Sequence, residues 1–155
     1  MPAREHGAVR ALVAVSITFG LYAAFMWCEA VDMAALLHSP QPGIWTTYGA
    51  EHLPFYGLEA GLCAAFALVP LALRGWVDAG RSLAVVLGAM LLFRLMSVEW
   101  LYFSQGAPGV TVPFIYKKAF PISRPMRMLF VPAQLAVLAW AGWRFARADA
   151  TQRSP

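Results

Sequence analysis

The sequence predicts an all-α fold, a polytopic four-helix transmembrane bundle forming a single integral membrane domain over residues 1–155. Three observations predict it. Hydrophobic residues make up 60% of the 155 and charged residues only 13%, against roughly 45–50% and ~25% in an ordinary soluble domain. Four apolar runs are each long enough to cross a ~30 Å hydrocarbon core. Nine of the twelve Lys and Arg residues fall outside these runs. So much apolar surface exceeds what a small soluble core can hide, and it equally excludes a disordered chain. The runs are continuously apolar rather than alternating, which excludes a membrane barrel. The formal charge of +4 is scattered at span ends instead of forming a basic stripe, so nucleic acid is not expected as a partner.

The first span covers residues 8–28, whose one charge, Arg10, lies near its start. A cleaved signal peptide is the rival reading, with Arg4 and Arg10 as its basic region, but the run exceeds the roughly 7–15 apolar residues of such a segment. A retained helix is expected. The second, third and fourth spans are placed at about residues 53–73, 83–103 and 128–146, each bounded by charged, Pro or Gly residues. Between the last two lies a long outer loop, 104–127, with Pro108, Pro113, Pro121 and Pro125. Its length exceeds that of an idle connection. Its Lys117 and Lys118 suit lipid phosphates or an anionic substrate.

Orientation follows from the distribution of Lys and Arg. Arg4 and Arg10, Arg74 and Arg81, and Arg144, Arg147 and Arg153 all fall on one side of a four-span chain, and the first connection has neither Lys nor Arg. Both termini are therefore expected in the cytoplasm. Lys117, Lys118, Arg124 and Arg127 run against this, but they are the smaller group. Trp27 and Trp100 near the outer ends, with Trp76, Trp140 and Trp143 near the inner ends, match an aromatic belt at each interface.

The acidic residues are the most informative for function. Glu29, Asp32, Glu51, Glu59 and Glu99 map to the outer half or its first loop. At 1.5 Å per residue Glu59 lies about 6 Å from the midplane and Glu99 about 9 Å, with Arg94 almost central. Charges at such depth face the bundle interior, pair, or line a wet cavity. Arg94 and Glu99 lie about 140° apart around one helix and do not suit each other. Glu59 is at a compatible depth on the preceding span, where Gly57 and Gly61 offer a flat face for close helix packing. Two readings stand open: a structural Glu59–Arg94 ion pair, or a pocket in which Arg94 orients a carboxylate or binds an anionic ligand group. Glu29 and Asp32, spaced i, i+3, share a helix face. In a dry site such a pair holds a proton, the condition for a general acid; at a wet helix end it is merely hydrated.

Other chemistries find little support. His38, Glu51 and His52, with Glu29 or Asp32, are the one conceivable metal set, but no H-x-x-x-H or H-E-x-x-H spacing occurs, and no metal is expected. None of the three histidines falls mid-span, which disfavours haem. Cys28 and Cys63 differ by some 15 Å in depth, too far for a disulfide. Nucleotide fingerprints and the serine-hydrolase elbow are absent. No cofactor is implied.

Two stretches resemble a known family. Phe25-Met26-Trp27-Cys28-Glu29-Ala30-Val31-Asp32-Met33 is similar to the acid-bearing end of the first helix of the EXPERA-type, emopamil-binding and sigma-2-receptor-like, membrane family. Leu53-Pro54-Phe55-Tyr56-Gly57-Leu58-Glu59 through Pro70 is similar to its second helix. The chain departs from that family in having no His within span two, and the loop after span three has no counterpart there. The resemblance implies a lipophilic-ligand pocket and, in enzymatic members, protonation of a sterol alkene followed by carbocation isomerisation. Membrane terpene cyclases use related logic.

The functional expectation is therefore a non-redox isomerase or cyclase acting on an isoprenoid- or sterol-like substrate. Glu59 and Glu99 are the expected acid and base, Asp32 and Glu29 the proton supply, and Arg94 the orienting group. Trp27, Tyr56, Trp100 and Tyr102 are the expected pocket walls, aromatic faces that stabilise a cation. If Arg94 pairs with Glu59, the role of acid passes to Glu99 or Asp32. The alternative is a non-catalytic membrane-complex subunit or lipid-binding module, whose sign would be a small-residue or polar stripe on a lipid-facing helix. Expected partners are a lipophilic small molecule, membrane lipid, and a second copy or another membrane protein. A proton-coupled carrier is disfavoured for want of an inverted repeat.

Overall fold

Apolar residues recur at the helical spacing throughout the chain, and each recurrence becomes one seam of a helix. The computed structural model describes residues 3–38, 40, 43–103 and 123–148. Among these there are four long α-helices and no strand: α1 (Ala3–Leu36), α2 (Ile44–Ala72), α3 (Gly80–Phe103) and α4 (Ser123–Ala148), with a short 3₁₀ turn at Leu73–Trp76. Each of the four is long and apolar enough to cross a membrane, over His6–Leu36, Gly49–Trp76, Gly80–Ser97 and Leu129–Arg147. The four-helix class read from the sequence is the class observed.

The helices outrun the predicted spans. α1 has 34 residues, about 51 Å of helix, and continues through Asp32, which the sequence reading left in a connection. α2 starts at Ile44 and passes straight through Pro54, which had marked the start of span two. A proline inside a helix removes one backbone hydrogen bond and introduces a clash, and helices in lipid tolerate this because neighbours re-satisfy the freed groups. The link from α1 to α2 is correspondingly short. Gly43 takes φ 132°, a left-handed conformation that suits glycine, and Thr46 fastens the turn: its hydroxyl accepts from the Gly43 N–H at 3.1 Å and donates to the Gly43 carbonyl at 2.8 Å. Residues 123–127, read as loop, are the first turn of α4. The remainder of the predicted loop, 104–122, with Lys117 and Lys118, lies outside the described residues.

Packing fixes the order around the bundle. α1 runs antiparallel along α2, with the Phe19 and Phe66 rings 5.3 Å apart; α3 runs along α4, where a Cβ on Gly142 would sit 3.7 Å from the Leu87 Cβ. α4 also packs on α1, stacking Phe130 on Tyr22 at 5.4 Å. α2 and α3, though consecutive in the chain, reach each other mainly through long side chains, as in Phe66 and Phe93 at 6.1 Å. The buried seams are Leu12, Val15, Phe19, Tyr22, Met26, Ala30 and Met33 on α1; Tyr56, Ala60, Cys63 and Phe66 on α2; Leu83, Leu87 and Met90 on α3; and Leu138, Ala141 and Phe145 on α4. Each advances by three or four residues, the spacing of one helix face.

Gly49 marks the closest approach of α1 and α2. A Cβ there would lie 2.9 Å from the Met33 carbonyl oxygen and 3.2 Å from the Leu36 Cβ. The Gly57 and Gly61 pair behaves oppositely: an added Cβ on either meets nothing within 4 Å, so this face does not form the close helix contact within the bundle that its spacing suggested. Replacing glycine by alanine favours an isolated helix by about 1 kcal/mol, whereas forced overpacking costs about 1–3 kcal/mol. Gly49→Ala is therefore expected to lower the thermal unfolding midpoint in detergent, while Gly61→Ala leaves it unchanged or raises it. Equal responses from the two variants would show that α1 and α2 do not approach this closely.

Candidate functional site

The α3 seam runs Leu83, Leu87, Met90 and then Arg94, so a guanidinium stands where the pattern calls for another apolar side chain. Arg94 is 0% exposed and is the largest fully buried side chain among the described residues. A charge in that position needs partners on the helices around it. The α4 seam supplies one in Gln134, at the register position before Leu138, and the α2 seam supplies Glu59, one turn from Cys63.

The resulting cluster draws on all four helices. Arg94 Nη2 donates to Glu59 Oε1 at 3.1 Å, a buried salt bridge. Its Nε donates to Gln134 Oε1 at 2.8 Å, and its Nη1 reaches Ser97 Oγ, one turn further along α3, at 3.5 Å. From α1 the Tyr22 hydroxyl donates to the same Glu59 Oε1 at 3.1 Å, and the Tyr22 ring lies 6.0 Å from the Arg94 guanidinium carbon. The Gln134 amide nitrogen, its oxygen already committed to Arg94, donates to Cys63 Sγ at 3.9 Å. Ser97 is held in turn by donating to the Arg94 carbonyl at 2.9 Å.

Of the two readings left open for Glu59 and Arg94, the ion pair is the one observed. Each of the three guanidinium nitrogens has an acceptor within the protein. The Glu59 carboxylate holds a cation and accepts a phenol. Such an arrangement ties helices together.

The other expected site residues are dispersed. Glu29 is buried on α1, two turns from Tyr22, while Asp32 is exposed; the edge of the buried face passes between them, and they do not share a dry site. Tyr56 is buried one turn from Glu59. Trp27 is 64% exposed on the outside of α1, on the belt rather than in an interior wall. Glu99, Trp100 and Tyr102 lie on α3 outside the residues whose side chains are described. His38 and Glu51 are exposed and His52 half-buried, and no group of three or more His, Cys, Asp or Glu among the described residues converges as a metal site. Cys28 is exposed, Cys63 buried, and both are free thiols.

Sequence reasoning missed Tyr22, Ser97 and Gln134, and read Cys63 only as a packing thiol. The signal available for Gln134 was its register: it begins a seam that continues through Leu138, Ala141 and Phe145. Tyr22 likewise sits within the Phe19 to Met26 seam of α1.

No protein-family model, curated protein or solved structure matches this chain.

Removing one member of a buried ion pair strands the other and costs about 3–5 kcal/mol, whereas replacing both with apolar groups of similar volume is often neutral. Arg94→Met alone should sharply lower the unfolding midpoint in detergent, and Arg94→Met with Glu59→Leu should recover most of the loss. Tyr22→Phe removes a hydrogen bond to a charged group, about 1.5–3 kcal/mol. Additive losses in the double variant would show that Glu59 and Arg94 act separately.

Proposed function

We propose that the protein is a non-catalytic integral-membrane subunit, a compact helical module that joins a larger assembly through its outer surface. The carrying observation is the use made of the interior. The buried salt bridge between Arg94 and Glu59, with Tyr22 and Gln134 bonded to it, commits the strongest intramembrane polar groups to holding the bundle. Interaction is then left to the outside. There, α2 carries the small-residue stripe that this reading calls for: Gly57 and Gly61 have open space beyond them, and Ala64, Ala65 and Leu68 continue the face as exposed residues. Small residues let a second helix approach closely in lipid, where van der Waals packing drives association.

A second reading keeps the acid and base chemistry on an isoprenoid- or sterol-like substrate that the EXPERA-type resemblance implies. Glu29 favours it, being a buried carboxylate on α1 two turns from the Arg94 cluster. On this reading Glu29 takes the role of acid, with Tyr56 of α2 and Glu99 of α3 as further members of the site. In either reading the termini lie in the cytoplasm, supported by the exposed Arg10, Arg74, Arg81, Arg144 and Arg147 of the described residues and the cytoplasmic preference of such residues.

Purification in a mild detergent separates the two. The subunit reading expects a defined assembly, either of several copies or with other membrane proteins. Gly61→Leu should disperse it without lowering the unfolding midpoint, because a Cβ there meets nothing within 4 Å in its own bundle. A monomer that retains a specific isoprenoid or sterol-like molecule, lost in Glu29→Gln, would overturn this in favour of the enzyme. Glu29 is the better probe than Glu59, whose replacement also weakens the fold.

A further inference from the structure

A different region carries a ligand inference of its own, at the end of the bundle where α1 begins, α4 ends and the 3₁₀ turn joins α2 to α3. Five exposed arginines lie there, Arg10, Arg74, Arg81, Arg144 and Arg147, and the one carboxylate at this end among the described side chains is Asp78. The arginines are not evenly spread. Arg144 and Arg147 each follow an exposed tryptophan by four residues on α4, one helical turn. The guanidinium carbon of Arg147 lies 4.4 Å from the Trp143 ring centre and that of Arg144 5.8 Å from the Trp140 ring centre. Trp143 lies one turn and Trp140 two turns before the end of the apolar span Leu129–Arg147, on the side where hydrocarbon gives way to headgroups.

Arg144 is further set in place by α1. Its guanidinium lies against Gly7, in the space that a Cβ on that residue would occupy. A glycine there opens a notch across the α1–α4 seam, and the arginine side chain fills it. Arg10 stands three residues further along α1, exposed on the adjoining strip. Two cations are thus brought to one seam with an indole on its flank. Like charges at a shared seam repel, and an anion placed between them offsets the repulsion. Guanidinium is the side chain best matched to phosphate, through paired N–H donors.

We propose that the α1–α4 seam at this end is a binding site for the phosphate of an anionic phospholipid, held by Arg144 and Arg10 with the Trp140 indole, two turns inside the span end, against its acyl chain. Position selects a lipid over a free anion. The site opens at the rim of a membrane span, and its tryptophan face is amphipathic, apolar in body with one N–H donor. The occupant needs both a charge and a hydrocarbon chain. The site lies at the opposite end of α1 from Glu29 and at a distance from the Arg94 cluster, and it stands whether the protein is a subunit or an enzyme.

The test uses the full chain in a neutral detergent, titrated with phosphatidylglycerol, with phosphatidylcholine and with inorganic phosphate. The readouts are the unfolding midpoint and native mass spectrometry of lipid adducts. Phosphatidylglycerol should raise the midpoint and remain bound, while phosphatidylcholine and inorganic phosphate should not. Each guanidinium near a membrane surface contributes about fivefold to attraction for anionic lipid, so Arg144→Gln and Arg10→Gln should each weaken phosphatidylglycerol binding by about that factor, and Arg81→Gln, away from the seam, should not. Arg10 is exposed, so its variant reports on the site even if Arg144→Gln proves unstable. Equal binding of the two lipids would overturn the proposal. So would an equal loss in Arg81→Gln, which would mean a diffuse charge effect. Protection by inorganic phosphate alone would show a simple anion site in place of a lipid one.

Discussion

A guanidinium sealed inside a membrane bundle is the constraint on which the rest of this structure depends. Arg94 is 0% exposed, so the partners of its guanidinium come from the protein. Everything around it is arranged to answer that charge: a carboxylate from α2, an amide oxygen from α4, a hydroxyl from its own helix and a phenol from α1 bonded to the carboxylate. Because the partners come from separate helices, satisfying one side chain fixes the relative height and rotation of all four. Apolar packing alone gives no such specificity in lipid, where a leucine against a neighbouring helix and a leucine against an acyl chain are nearly equivalent.

The same constraint accounts for the uneven packing. α1 lies closely on α2 and α4, and α4 on α3, yet the α2–α3 side is bridged by the Glu59–Arg94 pair and by the Phe66 and Phe93 rings. Long side chains span an interval that small ones would leave empty. Gly49 has the opposite use, bringing two backbones together where α1 meets α2. Charge, in this bundle, holds the wider gap; the absence of a side chain closes the narrower one.

How much of this was legible in the sequence follows from what each signal measures. The four helices were legible because apolar runs report the hydrocarbon that each must cross. Their ends were not, since hydropathy registers the membrane core and not the helix, and α1 and α2 both continue past it toward their short link. Arg94 and Glu59 were legible as partners from charge and depth. Gln134 and Tyr22 were not, because a neutral polar residue barely alters an apolar run and declares itself only through register. The Gly57 and Gly61 pair was read correctly as a flat face, but spacing does not say what lies against it. Glu29 and Asp32 were aligned by their spacing, and burial then divided them. Three of the nine expected site residues rested on the connection half of α3, where the side chains of Glu99, Trp100 and Tyr102 are not described.

The helices joined at the Arg94 cluster are unequal in length. α1 has 34 residues and α3 has 24, about 51 Å against 36 Å. Tied at one level by the cluster, α1 runs on for 14 residues beyond Tyr22 toward its link with α2, and α3 for 9 beyond Arg94, about 21 Å against 14 Å. The joined ends of α1 and α2 therefore form a lever whose fulcrum is the polar cluster, and a load on its tip is felt first at the buried charge.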